Sequence, residues 1–394
     1  MPHTMEELRT RQRYPLDLKI SLTEQRIRAW VNEYGEDGVY VSFSGGKDST
    51  VLLDIVRNRM GYKDIPAVFV DVPTQFPELK EFVNTFDNVE IIRPSISFMQ
   101  VCEKYGFPLI SKEVAECVYG AKKYLTELQS EVESVQTDRQ TDRQTDSCRI
   151  DTSTINYVEL ANILNKRLQE KSGGSNQRLA IMLGLYSKDK TIQVNIPDEQ
   201  KSNFSQERYK FFLDAPFSIS NQCCSVMKKK PAHDYHKRTG RNPITAQMAD
   251  ESKLRQQKWL QNGCNGFNLK IPTSNPMSFW VEQDILKYIK ENNLPICSVY
   301  GEVVEDYEAE GLLQNQMTFD CFSEDKKLKT TGCKRTGCML CGFGCHIKGD
   351  TRFLQLKESH EKMYNLLDVV KNNGVTFREA IEWTNEHGDL NIKL

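Results

Sequence analysis

The sequence predicts an α/β fold, a parallel twisted sheet with helices on both faces. Three short apolar runs rich in β-branched and aromatic residues predict buried strands, namely GVYVSF (38–43), IPAVFVDV (65–72) and VEIIRP (89–94). Between them lie two segments with helical apolar spacing, TVLLDIVRNRM (50–60) and ELKEFVNTF (78–86). Strands that alternate with helices at this spacing form crossover units, and such units build a parallel sheet.

The rest of the chain adds an inserted segment and a small cysteine-rich metal subdomain at the C-terminal end. The predicted division is a helical segment (1–35), the first part of the α/β domain (36–124), a polar, partly flexible insertion (125–211), the continuation of the domain (212–300) and a cysteine-rich region (301–394). The insertion is predicted from the tandem repeat QTDRQTDRQTD (136–146), because such a sequence buries too little apolar surface to order itself. Within the insertion RLAIMLGLY (178–186) predicts a strand, and residues 358–373 predict a final helix.

The composition excludes several classes of protein. With 52 basic and 54 acidic residues the formal net charge is −2, so a generally basic nucleic-acid-binding protein is not expected. No apolar run approaches the roughly 20 residues of a membrane span, and the N-terminal residues lack the apolar core of a signal peptide. We therefore expect a cytoplasmic protein without a membrane partner. In a reducing compartment its 12 cysteines indicate metal or sulfur chemistry before disulfides.

A phosphate-binding loop is predicted between the first strand and the helix that follows it. Adjacent glycines let backbone N–H groups approach an anion, and the helix N-terminus adds a favourable dipole. Two hydroxyls can donate to phosphate, Lys47 can neutralise a departing pyrophosphate, and Asp48 can hold Mg²⁺. Lys47 and Asp48 are therefore the candidate catalytic residues. An ordinary glycine turn is the alternative. The predicted loop is Ser44, Gly45, Gly46, Lys47, Asp48 and Ser49.

The hexapeptide SGGKDS resembles the PP-loop of the N-type ATP pyrophosphatases, which cleave ATP between the α and β phosphates and transfer AMP. VDVPTQFPE (70–78) resembles a segment of the phosphoadenosine-phosphosulfate (PAPS) reductase family within that superfamily. The resemblance implies a Rossmann-like fold, an adenine nucleotide such as ATP as ligand, and Asp71 beside the nucleotide.

The cysteines supply a second candidate site. A C-x-x-C turn presents two thiolates to one metal centre, and four thiolates suit either tetrahedral Zn²⁺ or a [4Fe–4S] cluster. A Cys-Cys pair followed much later by C-x-x-C resembles the [4Fe–4S] pattern of assimilatory adenylylsulfate reductases and of DNA phosphorothioation proteins of the DndC type. That resemblance favours iron–sulfur over zinc, held by Cys223, Cys224, Cys338 and Cys341. Cys333 and Cys345 are rival ligands, since with Cys338 and Cys341 they would suffice for a zinc knuckle.

Two polar segments are candidate substrate sites. ITAQMADESKLRQQKWLQNGCNGF (244–267) resembles the family loop that binds a substrate's phosphate or sulfate, and Glu251, Ser252 and Arg255 match it. A solvated charged helix is the alternative. KKKPAHDYHKRTGR (228–241) predicts a nucleic-acid partner, although a charge run is also an ordinary surface. Its first residue, Lys228, matches the lysine that follows the Cys pair in the family.

The favoured function is ATP-dependent adenylation of an acceptor that supports iron–sulfur-dependent sulfur transfer, with a nucleic acid as one acceptor. A sulfur-donor protein such as a cysteine desulfurase, and self-association, are further expected partners. The last residues, EHGDLNIKL, lack the cysteine nucleophile of sulfonucleotide reductases, and those reductases tend to lack the loop lysine. The alternatives are a PAPS or adenylylsulfate reductase that uses an external thiol, and a non-catalytic regulator that binds nucleotide or nucleic acid.

Overall fold

The computed structural model describes residues 3–136, 157–170, 174–306 and 327–394. Most of the predicted tandem repeat at 136–146 lies outside these residues, as do Cys148 and Cys321. The chain divides into two compact units. Unit 1 comprises Met1–Ser95 and Lys228–Cys338, and unit 2 comprises Ile96–Met227 and Met339–Leu394. The five-segment division stays a prediction.

The described α-helices follow the chain in this order: α1 (Met5–Gln12), α2 (Leu16–Tyr34), α3 (Lys47–Asp54), α4 (Pro77–Val83), α5 (Phe98–Tyr105), α6 (Lys112–Gln136), α7 (Tyr157–Glu170), α8 (Ser175–Met182), α9 (Gln222–Cys224), α10 (Lys230–Thr239), α11 (Lys253–Asn262), α12 (Glu282–Glu291), α13 (Arg352–Ser359), α14 (Glu361–Tyr364) and α15 (Phe377–Gly388). One π-helix (Ile55–Arg59) continues α3 and another (Ser225–Lys229) joins α9 to α10. In the described part of the chain, no helix is both long and apolar enough to span a membrane.

The described strands are β1 (Val39–Ser42), β2 (Ala67–Val70), β3 (Val89–Ile92), β4 (Leu109–Ile110), β5 (Asn242–Ile244), β6 (Asn265–Gly266), β7 (Thr273–Ser274), β8 (Val303–Glu305), β9 (Leu328–Thr330), β10 (Gly342–Phe343), β11 (Lys371–Asn372) and β12 (Val375–Thr376). Six of them form the sheet of unit 1 in the order β3-β2-β1-β5-β7-β6. All its pairs are parallel except β6 with β7. The predicted α/β fold and its first three strands are confirmed.

Unit 1 builds its core on this sheet because its strands carry apolar side chains on both faces. Val41 of the central strand β1 and Phe43, which directly follows that strand, pack with Trp30 and Ile27 of α2, and all four are buried. In a second, smaller hydrophobic cluster, Tyr235 of α10 packs against side chains of β1 and β2. The parallel strands therefore have helices against them, as the near-continuous apolar runs predict.

Unit 1 also contains a buried ion pair between two of its helices. Lys19 of α2 is 1% exposed, and its Nζ donates to Asp284 Oδ2 at 2.6 Å and to the Gln12 carbonyl at 2.7 Å. The same carboxylate oxygen accepts from the Val281 N–H at 2.7 Å, at the start of α12. Asp284 thus accepts hydrogen bonds both from a buried ammonium and from a backbone N–H at a helix N-terminus. A buried charge is stable only when it is paired and hydrogen-bonded in this way.

Two elements of unit 2 differ from the sequence prediction. Most of the run 178–186 lies in helix α8, not in a strand, because a short apolar run has no periodicity that separates a buried strand from a buried helix. The predicted helix 358–373 is interrupted and ends in the hairpin β11–β12. Asn373 (φ +51°) and Gly374 (φ +83°) form its two-residue turn, and Asn-Gly is the pair that favours positive φ at both positions.

Candidate functional site

The phosphate loop (residues 44–49) lies at the edge of the sheet where the strand order reverses. β1 pairs with β2 on one side and with β5 on the other. The segments after the two neighbouring strands then leave in opposite directions, and the crevice at such a switch point is where open α/β sheets bind ligands. The pocket here belongs entirely to unit 1 and is lined by Ser44, Gly46, Lys47, Asp48, Met248, Glu251, Glu282, Tyr300, Arg335 and Thr336.

The loop's own hydrogen bonds and sterics hold its shape. Gly45 has φ +72°, and a Cβ there would lie 3.0 Å from Val83 Cγ2 and 3.2 Å from the Leu79 carbonyl oxygen. The Ser44 N–H donates to Ser49 Oγ at 3.2 Å, and the Ser49 hydroxyl donates to the Gly46 carbonyl at 2.9 Å. The turn therefore requires glycine at position 45 and closes directly onto the N-terminus of α3.

Lys47 is the first residue of α3, and its side chain is held inside the pocket. Its side chain is 4% exposed, and its Nζ lies 3.0 Å from Glu282 Oε1. The same ammonium donates to the Lys334 carbonyl at 2.8 Å and lies 5.5 Å from the centre of the Tyr300 ring. Its carboxylate partner Glu282 is 46% exposed, so a phosphate oxygen is able to take that partner's place.

Asp48 carries a carboxylate oxygen without a partner. Its Oδ1 is buried, and in the described part of the chain it accepts no hydrogen bond. Burial raises the pKa of Asp48, and the neighbouring Lys47 lowers it by less. An unsatisfied buried carboxylate oxygen suits Mg²⁺, which proteins usually hold through one or two carboxylates while the phosphates of the nucleotide supply other ligands. The residues present therefore fit the predicted Mg²⁺.

Asp71 follows β2 and is not one of the described residues that line this pocket. Its Oδ2 accepts from Lys80 Nζ at 2.8 Å and from Arg93 Nε at 3.0 Å. Burial raises the pKa of Asp71, but the hydrogen bonds and positive charges of Lys80 and Arg93 together outweigh it, so the pKa lies below its ordinary value. The predicted role of Asp71 beside the nucleotide stays a prediction.

The predicted anion-binding loop is partly in the pocket. Glu251 lines the pocket, where its Oε2 accepts from the Met248 N–H at 3.1 Å and pairs with Arg255 NH1. Ser252 caps helix α11 by accepting from the Arg255 N–H at 3.3 Å. Arg255 lies half-buried in the first turn of that helix, and both the anion-binding role and the charged-helix alternative stay predictions. Burial lowers the pKa of Arg255, with a smaller effect from Arg335.

Four polar lining residues were not assigned to the site from the sequence. They are Glu282, Tyr300, Arg335 and Thr336. The hydroxyl oxygen of Tyr300 lies 2.7 Å from Thr336 Oγ1 and accepts from the Lys47 N–H at 3.4 Å. No local motif marks them, since each reaches the pocket through the tertiary fold. The nearest sequence indication for Arg335 is its position beside the cysteines.

The predicted metal ligands lie in several parts of the chain. Cys223 and Cys224 occupy helix α9, Cys338 pairs with Gln75 in an isolated bridge, and Cys341 precedes β10. Among the rivals, Cys333 is half-buried and Cys345 is buried, and burial raises the pKa of Cys345 to about 12. Over the described ranges, no three His, Cys, Asp or Glu side chains form a group that could hold a metal ion. The described geometry thus presents no complete ligand set, and the iron–sulfur or zinc centre stays a prediction.

The basic segment 228–241 presents a cationic helix face. Lys228 lies in the second π-helix, outside the pocket lining that the structure describes. On α10, Pro231 and Tyr235 are buried while Lys230, His233, Lys237 and Arg238 are exposed. Arg241 is instead engaged with Glu90 Oε1 at 2.8 Å. The exposed lysines and arginine suit a polyanion, and the nucleic-acid partner stays a prediction.

Three comparisons with known proteins gave matches. A family profile described as the phosphoadenosine phosphosulfate reductase domain matches residues 38–133 and 175–342 of this chain, well over half of it. The adenosine 5'-phosphosulfate reductase of Lysinibacillus sphaericus (strain C3-41) is 26% identical over 142 residues, 34% of this chain and 56% of that enzyme. The match thus spans little more than half the length of that curated relative. The crystal structure of phosphoadenylyl-sulfate reductase from Candida auris, a phosphate complex, aligns with a TM-score of 0.33 and 13% identity over 76% of this chain and 91% of that one.

Proposed function

This chain belongs to the phosphoadenosine phosphosulfate reductase domain family, and on that premise we propose that it is an ATP pyrophosphatase that adenylates an acceptor for sulfur transfer. The observation that supports this most is Lys47, buried in the pocket directly after the glycine pair. Breaking the α–β bond of ATP releases pyrophosphate, whose developing negative charge needs a fixed cation. Reduction of a sulfonucleotide releases no pyrophosphate, so pyrophosphate release distinguishes the two reactions.

In this proposal the phosphate loop binds the phosphates of ATP. The Lys47 N–H at the start of α3 donates to the hydroxyl of Tyr300 in the pocket lining, and the hydroxyls of Ser44 and Ser49 lie 3.0 Å apart. Lys47 exchanges its contact with Glu282 for a phosphate oxygen. Glu282 is able to move away because its side chain is 46% exposed.

The reaction is a displacement at the α-phosphorus. An oxygen of the acceptor forms a bond to that phosphorus, and the bond to the bridging oxygen of the β-phosphate breaks. Pyrophosphate leaves with the electron pair, and the acceptor's proton goes to solvent. Lys47 stabilises the leaving charge, while Asp48 would hold a Mg²⁺ ion that neutralises the phosphates when bound.

Sulfur transfer is the second half of the proposal. The terminal sulfur of a cysteine persulfide displaces AMP from the activated acceptor, and a second thiol then cleaves the resulting disulfide to leave the acceptor as a thiol. The persulfide resides on this chain or on a donor such as a cysteine desulfurase. A nucleic acid bound by the 228–241 segment is the proposed acceptor, and the predicted cluster on Cys223, Cys224, Cys338 and Cys341 belongs to this half.

A second candidate is a sulfonucleotide reductase that uses an external thiol. The curated relative that is an adenosine 5'-phosphosulfate reductase supports this reading. Its reaction consumes two thiols, transfers the sulfuryl sulfur as sulfite and releases the adenine nucleotide with one disulfide. The pocket's cations are equally suited to a sulfate group.

Parallel assays on anaerobically purified protein separate the candidates. We expect pyrophosphate release from ATP when candidate acceptors, including oligonucleotides, are present. Sulfite formed from adenosine 5'-phosphosulfate or PAPS with thioredoxin or dithiothreitol, and no pyrophosphate, would replace the proposal with the reductase. Tight ATP binding without turnover under either condition would indicate the non-catalytic regulator.

A further inference from the structure

A short segment that ends at the first cysteine of the C-x-x-C motif, residues 331–338, forms one wall of the pocket. Arg335 and Thr336 line the pocket directly. The Lys334 carbonyl accepts from Lys47 Nζ at 2.8 Å, and Thr336 Oγ1 lies 2.7 Å from the Tyr300 hydroxyl oxygen. The segment therefore contacts the loop lysine and a second lining side chain in the same unit.

Both ends of this segment are anchored in unit 1. The Cys333 N–H donates to the Val299 carbonyl at 2.8 Å, and a Cβ on Gly332 would lie only 2.4 Å from the same carbonyl oxygen. At the other end Cys338 forms an antiparallel bridge with Gln75. These anchors hold Arg335 at the pocket and not on a free loop.

Arg335 differs from the other cations at the pocket in its ion pairing. Lys47 is paired with Glu282, and Arg255 is paired with Glu251. Arg335 is exposed, and within the described ranges it forms no ion pair. It lies close enough to Asp48 to lower that carboxyl's pKa, against the larger raising effect of burial. An unpaired guanidinium at a phosphate-binding pocket is free to bind an oxyanion through two parallel hydrogen bonds.

We propose that Arg335 binds the tetrahedral oxyanion attached to the nucleotide's α-phosphate. The phosphate loop binds the α-phosphate itself, and the 331–338 segment binds the next group outward. This assignment rests on the proposed nucleotide site, but not on which reaction the site performs. The β-phosphate of ATP and the sulfate of adenosine 5'-phosphosulfate share this chemistry, whereas AMP lacks the group.

Calorimetric titration of the full chain with ATP, adenosine 5'-phosphosulfate and AMP tests the assignment. Arg335→Ala should weaken ATP or the phosphosulfate by about tenfold or more, from the loss of charge-assisted hydrogen bonds, and leave AMP unchanged. Whichever of the two ligands loses affinity identifies the oxyanion. Arg335→Lys should restore part of the loss, and Arg28→Ala, which removes an exposed arginine of α2, should change nothing.

Trypsin supplies a second readout that does not depend on a variant. Lys334 and Arg335 are both exposed, so the oxyanion-bearing ligand should slow tryptic cleavage after them, followed by mass spectrometry, while AMP should not. Equal losses for AMP and ATP in Arg335→Ala, or no loss at all, would overturn the assignment and leave the proposed function intact. Failure of the wild-type protein to bind any of the three nucleotides would overturn both.

Discussion

The phosphate loop and the cysteine set differ in how their members are brought together. The loop's residues are contiguous, and they hold one another, as the Ser44 N–H does by donating to Ser49 Oγ at 3.2 Å. The predicted cysteine ligands come from helix α9 and from a turn more than a hundred residues later. Side chains that hold their own geometry form a site without a ligand. Separated thiolates instead depend on a metal, whose binding energy assembles the site.

The largest expected effect tests the contiguous site. Lys47→Ala should lower pyrophosphate release from ATP by about 100-fold or more, since it removes the cation that stabilises the leaving group. A coupled pyrophosphatase assay measures this. Arg28→Ala is the control, and release that is unchanged in Lys47→Ala would rule out the adenylation step.

The cysteine set is tested by metal content. We expect anaerobically purified protein to contain iron and sulfide, with a broad visible band near ~400 nm, and Cys338→Ser to lose nearly all of it. Cys102→Ser is the matched control because Cys102 is fully buried in α5.

The rival ligand set makes a different prediction for the same preparations. Zinc in place of iron, lost in Cys333→Ser or Cys345→Ser and retained in Cys223→Ser, would assign the site to the zinc knuckle. Protein without bound iron or zinc in every preparation would contradict both sets.

A pair of glycine variants tests whether the phosphate loop holds its own geometry. Gly45→Ala should destabilise the protein by about 1–3 kcal/mol, because alanine at φ +72° is strained and its Cβ would contact the Leu79 carbonyl. Gly46→Ala should cost less, because Gly46 has φ −75° and its nearest neighbours are the side-chain oxygens of Ser44 and Tyr300. Urea unfolding curves measure both. Equal midpoints would show that the loop's shape is not held by residue 45.

The smallest effect concerns a buried lysine of unit 2. Burial lowers the pKa of Lys122 from 10.5 to about 8, against a weaker opposing effect of Asp214. Between these values the unfolded chain binds more protons than the folded one, so this lysine makes stability rise with pH across that window. Below about pH 8 the lysine is protonated in both the folded and the unfolded state, so its unfavourable contribution to the stability of the fold no longer changes with pH.

Urea midpoints at about pH 7.5 and about pH 9.5 measure this slope. Lys122→Met loses the hydrogen bonds to the Ala215 and Phe217 carbonyls at every pH, which shifts both urea midpoints by a similar amount. The test is therefore whether the difference between the midpoints at the two pH values becomes smaller. Lys123→Met is the control, since the neighbouring lysine is 63% exposed. An unchanged slope in Lys122→Met would refute the lowered pKa.

The same contrast explains what could be predicted from the sequence. The alternation of strands and helices in residues 36–94 and the SGGKDS loop are local patterns, and both are found where they were predicted. Tyr300, Glu282 and Arg335 line the same pocket as the loop although they lie more than two hundred residues from it in sequence. No periodicity or spacing carries that information.

The hairpin β11–β12, where a helix was predicted, is an error of a different kind. The Asn373-Gly374 pair that forms its turn is a local pattern, and its preference for positive φ was visible in the sequence. Helical spacing in the preceding residues masked it. The run 178–186 was ambiguous for a physical reason, since burial on all sides removes the polar face on which periodicity depends.

The strand order has a consequence for synthesis of the chain. A ribosome completes β1 about 200 residues before β5, which at about 5–20 residues per second is an interval of about 10–40 s. During that time β2 covers one edge of β1, while the other edge has unpaired N–H and C=O groups. The nascent chain therefore exposes one unpaired edge of β1 until β5 is synthesised.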